Sequence, residues 1–180
     1  MTQHHKYFQG INTIKFEGPA TDNPLAFRWY DPDKIIGGKT MRDHLRFACA
    51  YWHSFCGNGN DPFGGPTHNF AWNKHADAVD RAKDKMDAAF EFMTKIGLDW
   101  YCFHDVDVVD YGDDVVENER RLQALTNHAQ AHMKATGIRL LWGTANLFSH
   151  TRYMNGASTN PDFHVLAHAG AQVKIGRAHV

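Results

Sequence analysis

Long hydrophobic runs are missing from this chain. Its apolar stretches are short and broken by charges, and the first ten residues, Met1 to Gly10, are polar. Neither a membrane span nor a signal peptide is therefore expected, and a cytoplasmic location is the default reading. An excess of one charge is also missing. Nineteen basic residues face 20 acidic ones for a formal net charge of -1, with no basic stripe to track a phosphate backbone, which excludes nucleic acid as a partner. Cysteine is scarce. Cys49, Cys56 and Cys102 are an odd number at spacings that match no zinc-knuckle pattern, so they read as reduced, mostly buried thiols.

What the chain does have is apolar and aromatic residues, 43% and 13% of its length, enough for a core of ordinary single-domain size rather than disorder. Thirteen histidines are spread along the chain rather than clustered at ligand spacing. His4 and His5 are adjacent, and neighbouring side chains diverge in most backbone conformations, which argues against a metal pair there.

Residues 1–45 form an irregular N-terminal arm punctuated by Gly18-Pro19, Asn23-Pro24, Asp31-Pro32 and Gly37-Gly38. Its aromatics, Phe8, Phe16, Phe27, Trp29 and Tyr30, need something to pack against. A strand–loop–helix rhythm follows. Arg46 to Phe55 is an aromatic-rich strand candidate, and a glycine-rich loop runs from Gly57 to Gly65. A helix then starts at or just after Asn73, with Val79, Ala82, Met86, Ala89, Phe90, Met93 and Ile96 on one face and Gly97 as its stop. The second unit is the strand Trp100 to Val109 and a helix marked by Leu122, Leu125, Ala129 and Met133, ended by Gly137. The third is the strand Arg139 to Trp142 and slightly beyond, a loop, and a helix opened by Pro161 that runs toward Val173. Three βα units imply an α/β fold with a parallel sheet, and pattern alone leaves a doubly wound sheet and a (β/α)8 barrel both open. A barrel usually needs about 250 residues and at least about 200, so this chain holds about three units of one.

The sharpest chemical signal is Phe103-His104-Asp105-Val106-Asp107 at the C-terminal end of the second strand, where parallel α/β proteins build their active sites. On a strand His104 and Asp107 face opposite ways, so a twist after Val106 is needed before they touch. If they do, the carboxylate fixes the imidazole tautomer and makes an acid/base pair. The alternative is a solvated loop in which Asp105, Asp107 and Asp110 are merely hydrophilic. A second constellation is aromatic: Trp52, Phe63, Trp142 and Phe148, with Thr144 and Asn146 nearby, supply the flat apolar faces and few polar groups that a sugar pocket requires. Core packing explains the same aromatics equally well.

Tyr51-Trp52-His53-Ser54-Phe55-Cys56, Asp61-Pro62-Phe63-Gly64-Gly65, Tyr101-Cys102-Phe103-His104-Asp105-Val106-Asp107 and Leu141-Trp142-Gly143-Thr144-Ala145-Asn146-Leu147-Phe148-Ser149-His150 occur in that order. Together they resemble successive signatures of the longer-chain xylose isomerases, and the similarity extends to about Lys174. The resemblance implies a (β/α)8 barrel assembled into tetramers. It implies that His104 hydrogen-bonds the sugar near its ring oxygen and assists ring opening, with Asp107 as its carboxylate partner. It makes Trp52 a wall of the sugar pocket, places Thr144 and Phe148 in the same lining, and sends Phe63 into a neighbouring subunit's site. The implied reaction converts D-xylose to D-xylulose by a hydride shift assisted by two divalent ions, Mg2+ or Mn2+, with glucose as a second candidate substrate.

The same resemblance puts the family's metal ligands on later strands, beyond this chain. Residues 46–174 then form a partial TIM-barrel domain. Ile175 to Val180 leave the amphipathic pattern and read as a translated sequencing adaptor on a truncated gene. Any metal ligands here would be improvised from Asp105, Asp107, Asp110, Asp113 or Glu117. Two further readings stand beside isomerisation. One is a non-catalytic barrel fragment that self-associates through its open edge and at most binds sugar weakly. The other is a related metal-dependent barrel, a sugar epimerase or abasic-site endonuclease, which the four motifs and the lack of a basic face disfavour.

Overall fold

The computed structural model describes residues 7–112 and 114–178. His4, His5, Asp113, His179 and Val180 lie outside the described residues.

The arm is irregular, as expected, and it is tied to the rest of the chain. A short hairpin, β1 (Ile35–Ile36) and β2 (Lys39–Thr40), turns through Gly37 and Gly38 at φ 57° and 81°. Positive φ at both central residues is the requirement of a type I′ turn, a conformation that glycine adopts without steric cost. Thr40 then caps the single turn α1 (Met41–His44) in a reciprocal box with Asp43. Phe8 packs on Phe92 and Phe27 on Tyr30. Trp29 does not follow the expectation and stays 82% exposed.

The first strand is much shorter than the sequence suggests. β3 spans Ala48–Ala50, and from Tyr51 the backbone turns helical, with a π-helical turn over Trp52–Cys56. Tyr51 and Phe55 are buried, their rings tilted at 57° with centroids 5.1 Å apart, while His53 and Ser54 are exposed. Burial four residues apart is a helical period, and the run of aromatics disguised it as a strand.

Helix α2 (Ala78–Ile96) begins later than Asn73. A 3-10 turn over Ala71–Lys74 buries Trp72, and the helix proper starts where the Asp77 carboxylate accepts the Val79 and Asp80 amides at 2.8 and 3.0 Å. Gly97, at φ 71°, ends it. Next come β4 (Trp100–His104), the single turn α3 (Asp105–Val108) and α4 (Val115–Thr136), which stops at Gly137. The expected second strand therefore ends five residues early, because Asp105 and Asp107 use their carboxylates to cap and anchor a turn. β5 (Arg139–Thr144) and α5 (Phe163–Ala178) complete the chain. The last helix does not break at Lys174. Ile175 lies three residues after the buried Gln172 and six after Ala169, and joins the core.

β3, β4 and β5 form one parallel sheet in chain order, with Ala48 beside Trp100, Trp100 beside Arg139 and His104 beside Thr144. Parallel neighbours need crossovers, and α2 and α4 supply them. Tyr101 and Phe103 point from β4 into a core with Met86, Phe90, Met93, Leu122 and Leu125. Cys102 and His104, alternating with them, lie on the other face. This is a mixed α/β structure with a small parallel sheet. All three cysteines are free, and burial pushes each thiol above its ordinary value. Among the described residues no helix is long and apolar enough to cross a membrane.

Candidate functional site

His104 is the last residue of the central strand, so its ring emerges where the sheet ends and the loops begin. The helical turn that follows carries Asp107 back over it. Asp107 Oδ2 accepts the His104 amide at 2.8 Å and lies 2.9 Å from its Nδ1. No twisted strand is needed, since a turn of helix brings residues three apart together. A carboxylate oxygen against an unprotonated Nδ1 would set lone pair against lone pair, so we assign the proton to Nδ1 and the free lone pair to Nε2. Lys85 fixes the turn from behind by donating to the Asp107 carbonyl.

Aromatic rings surround the imidazole on its open side. Trp52 lies 4.9 Å from it, Phe148 5.5 Å and Trp142 5.8 Å, with Trp52 and Trp142 5.5 Å from each other. The π-helical turn puts Trp52 there, and such turns often mark functional sites. Trp142 is 40% and Phe148 67% exposed, so the rings form a wall rather than a closed pocket. Thr144 is exposed beside His104 in the strand register. Phe63 is not part of this group. It is 97% exposed at the tip of a tight turn closed by an Asp61–Gly64 bridge, with its amide held by Asp61 Oδ1 at 2.7 Å.

Asp105 is the residue that sequence reasoning misjudged. It is 1% exposed, and four donors converge on it. Oδ1 accepts the Val106 and Asn146 amides at 2.8 Å each, and Oδ2 accepts the Tyr111 hydroxyl and Gln172 Nε2 at 2.5 and 2.9 Å. Gln172 also donates to the Asn146 carbonyl at 3.0 Å and accepts the Tyr153 hydroxyl at 2.6 Å. The carboxylate thus ties the end of β4 to the loop after β5 and to α5. Burial, and then the bond to Asp105, push the Tyr111 phenol far above its ordinary value. Nothing local in the sequence signals this hub, because Asn146 and Gln172 lie 41 and 67 residues away.

No protein-family model matches the chain. Over 169 residues, 94% of its length, the chain is 57% identical to a xylose isomerase of Bacteroides thetaiotaomicron. Over the same share it is 59% identical to xylose isomerases of Xanthomonas axonopodis pv. citri and Xanthomonas oryzae pv. oryzae.

The chain is a homologue of these xylose isomerases.

It spans 39% of the length of the first of those xylose isomerases and 38% of the other two, and corresponds to their N-terminal part. The improvised carboxylates do not fit a xylose isomerase ion pair. Asp105 has both oxygens filled by donors, and Asp107 is spent on His104. Asp110 pairs with Arg81 at 2.9 Å. Glu117 bridges Arg120 and Arg121 at 2.7 Å each, and their hydrogen bonds hold its carboxyl down at about 2. Asp113 lies outside the described residues. These side chains therefore do not converge on a common ion.

Proposed function

We propose that this chain supplies the ring-opening residues and the aromatic sugar wall of a D-xylose isomerase, within a partial (β/α)8 barrel of about three βα units that follow the arm 1–45 and span 46–174. One observation carries the reading: an imidazole at the end of a central parallel strand is oriented by a buried carboxylate and faced by three aromatic rings. Stacking rings suit the apolar face of a pyranose, and Thr144 offers a hydroxyl beside it.

Opening the ring breaks the C1–O5 bond, removes a proton from the O1 hydroxyl and adds one to O5. His104 Nε2 can take the first proton and return it as the second, while Asp107 steadies the imidazolium formed between the two events. Catalysis of this kind is worth about 10²- to 10⁴-fold. In the family, divalent Mg2+ or Mn2+ supplies the Lewis acidity for the later C2-to-C1 hydride shift. The side chains present here do not fit that pair, so the step derived for this chain is ring opening. Phe63, exposed at its turn tip, suits insertion into a neighbouring copy, and we assign the working form to a cytoplasmic homo-oligomer acting on xylose, with glucose as the second candidate.

Ring opening can be tested without the hydride shift, because exchange between the α and β anomers of D-xylose passes through the open chain. Anomer exchange is followed by polarimetry with the purified chain, with His104→Gln and with Asp107→Asn, and xylulose is assayed in the same samples with Mg2+ or Mn2+ and with chelator. Acceleration by wild type that His104→Gln lacks is the expected result. Equal rates for wild type and His104→Gln would sink the proposal.

A further inference from the structure

A second group of chemically active side chains lies away from His104, in the outer helix layer. Asp87 projects from the middle of α2, and His128 and His132, one turn apart on α4, meet it. Asp87 Oδ1 lies 2.6 Å from His128 Nε2 and 2.7 Å from His132 Nε2. The three ligand atoms all lie within 4.8 Å of one another, the one such group among the described residues. We propose that Asp87, His128 and His132 bind a zinc-class divalent ion that clips α2 to α4, a site independent of the sugar reading.

Four features support it. Histidines four apart on one helix face present two nitrogens in parallel, the spacing used by helical zinc sites. Two imidazoles and one carboxylate are a donor set for a borderline ion such as zinc, whereas magnesium prefers oxygen alone. The rings are already oriented: His132 stacks on Phe90 at 4.8 Å and 18°, and His128 meets His132 edge-on at 4.8 Å. Space for the remaining position exists as well. A cavity of about 630 Å³ between the arm and the helices is lined by Asp87, Phe90, Glu91 and His132, room for a water as fourth ligand.

Each imidazole now points a nitrogen at the same carboxylate oxygen, and a neutral ring meets that oxygen favourably only with its proton on Nε2. An ion takes the place of those two protons: each ring shifts its proton from Nε2 to Nδ1 through solvent, stays neutral, and coordinates through the freed Nε2 lone pair. With metal–ligand distances near 2.0–2.1 Å, tetrahedral geometry spaces the donors about 3.3 Å apart. The two carboxylate–imidazole distances, 2.6 and 2.7 Å, must lengthen by about 0.6–0.7 Å.

The test uses the untagged full chain, stripped with chelator and dialysed against zinc chloride in the presence of excess magnesium chloride at neutral pH. Bound zinc is counted by elemental analysis, and the midpoint of thermal unfolding is recorded. One zinc per chain, unaffected by magnesium and accompanied by a higher midpoint, is expected for wild type. His128→Gln and Asp87→Asn, each still able to hydrogen-bond its partner, should lose the tight zinc while keeping the wild-type circular dichroism spectrum. Should a variant fold poorly, the visible d–d absorption of cobalt bound to wild type reports a four-coordinate site with nitrogen ligands directly. Zinc retained by both folded variants, zinc displaced by magnesium, or no binding above the chelator blank would each overturn the assignment. In those cases the triad is a hydrogen-bonded helix clamp.

Discussion

Replacing Asp105 should do more damage than replacing any other acidic residue at the end of β4. In Asp105→Ala the Asn146 amide, the Tyr111 hydroxyl and the Gln172 amide lose their shared acceptor, while the Val106 amide is local to the turn. Leaving a buried donor unsatisfied costs about 1–3 kcal/mol. Gln172 keeps the Asn146 carbonyl and Tyr111 can rotate, so the sum falls toward the low end, about 4 kcal/mol for the three donors. At roughly 2–4 °C per kcal/mol for a chain of this size, Tm should drop by roughly 8–16 °C. Asp105→Asn keeps Oδ1 for two amides and sets an NH2 against Gln172, for a loss of about 1–2 kcal/mol. Urea unfolding followed by circular dichroism gives both numbers. Hydrogen exchange at the Asn146 amide locates the effect, since its protection should fall before that of α2. An Ala variant within about 0.5 kcal/mol of wild type, or an Asn variant as damaged as the Ala one, would refute the hub.

Alkaline pH should expose the burial of Tyr101, whose phenol desolvation pushes up to about 12 from an ordinary value of 10.0. A raised folded-state value adds stability that is complete below pH 10 and is lost as pH rises toward 12, about 3 kcal/mol in all. Stability measured across that window should fall more gently in Tyr101→Phe; an unchanged slope would mean that Tyr101 does not contribute. Leu125, fully buried between α4 and the sheet, should cost about 2–5 kcal/mol on truncation to Ala, read by urea denaturation. Phe63→Ser should leave Tm within about 1 °C, because an exposed side chain contributes little to the folded chain, yet it should lower the association state seen by sedimentation if Phe63 reaches a second copy.

Signals confined to a few residues were the legible ones. Gly97 and Gly137 stop their helices as the spacing indicates, and apolar residues three and four apart mark the buried faces of α2 and α4. The two errors at strand ends share a cause. At Tyr51 and at Asp105 the chain leaves the sheet at its C-terminal edge, and strand-favouring residues there are recruited into turns by contacts from outside the segment. The Lys85 ammonium lies over the Tyr51 ring, and Asp105 is held by Asn146 and Gln172. His104 and Asp107 were readable as a possible pair because they are close in sequence, although the device that joins them is a helical turn rather than a twisted strand. His128 and His132 are four apart, a ligand spacing hidden among 13 scattered histidines, and 41 and 45 residues separate them from Asp87, which joins them only when two helices pack.

The strands lie side by side in the order in which they occur along the chain. Each therefore finds its template already made by the residues before it, and each crossover helix closes over a strand pair adjacent in sequence. Such a sheet can assemble as the chain leaves the ribosome, one βα unit at a time, with the outer edge of β5 as the growing end.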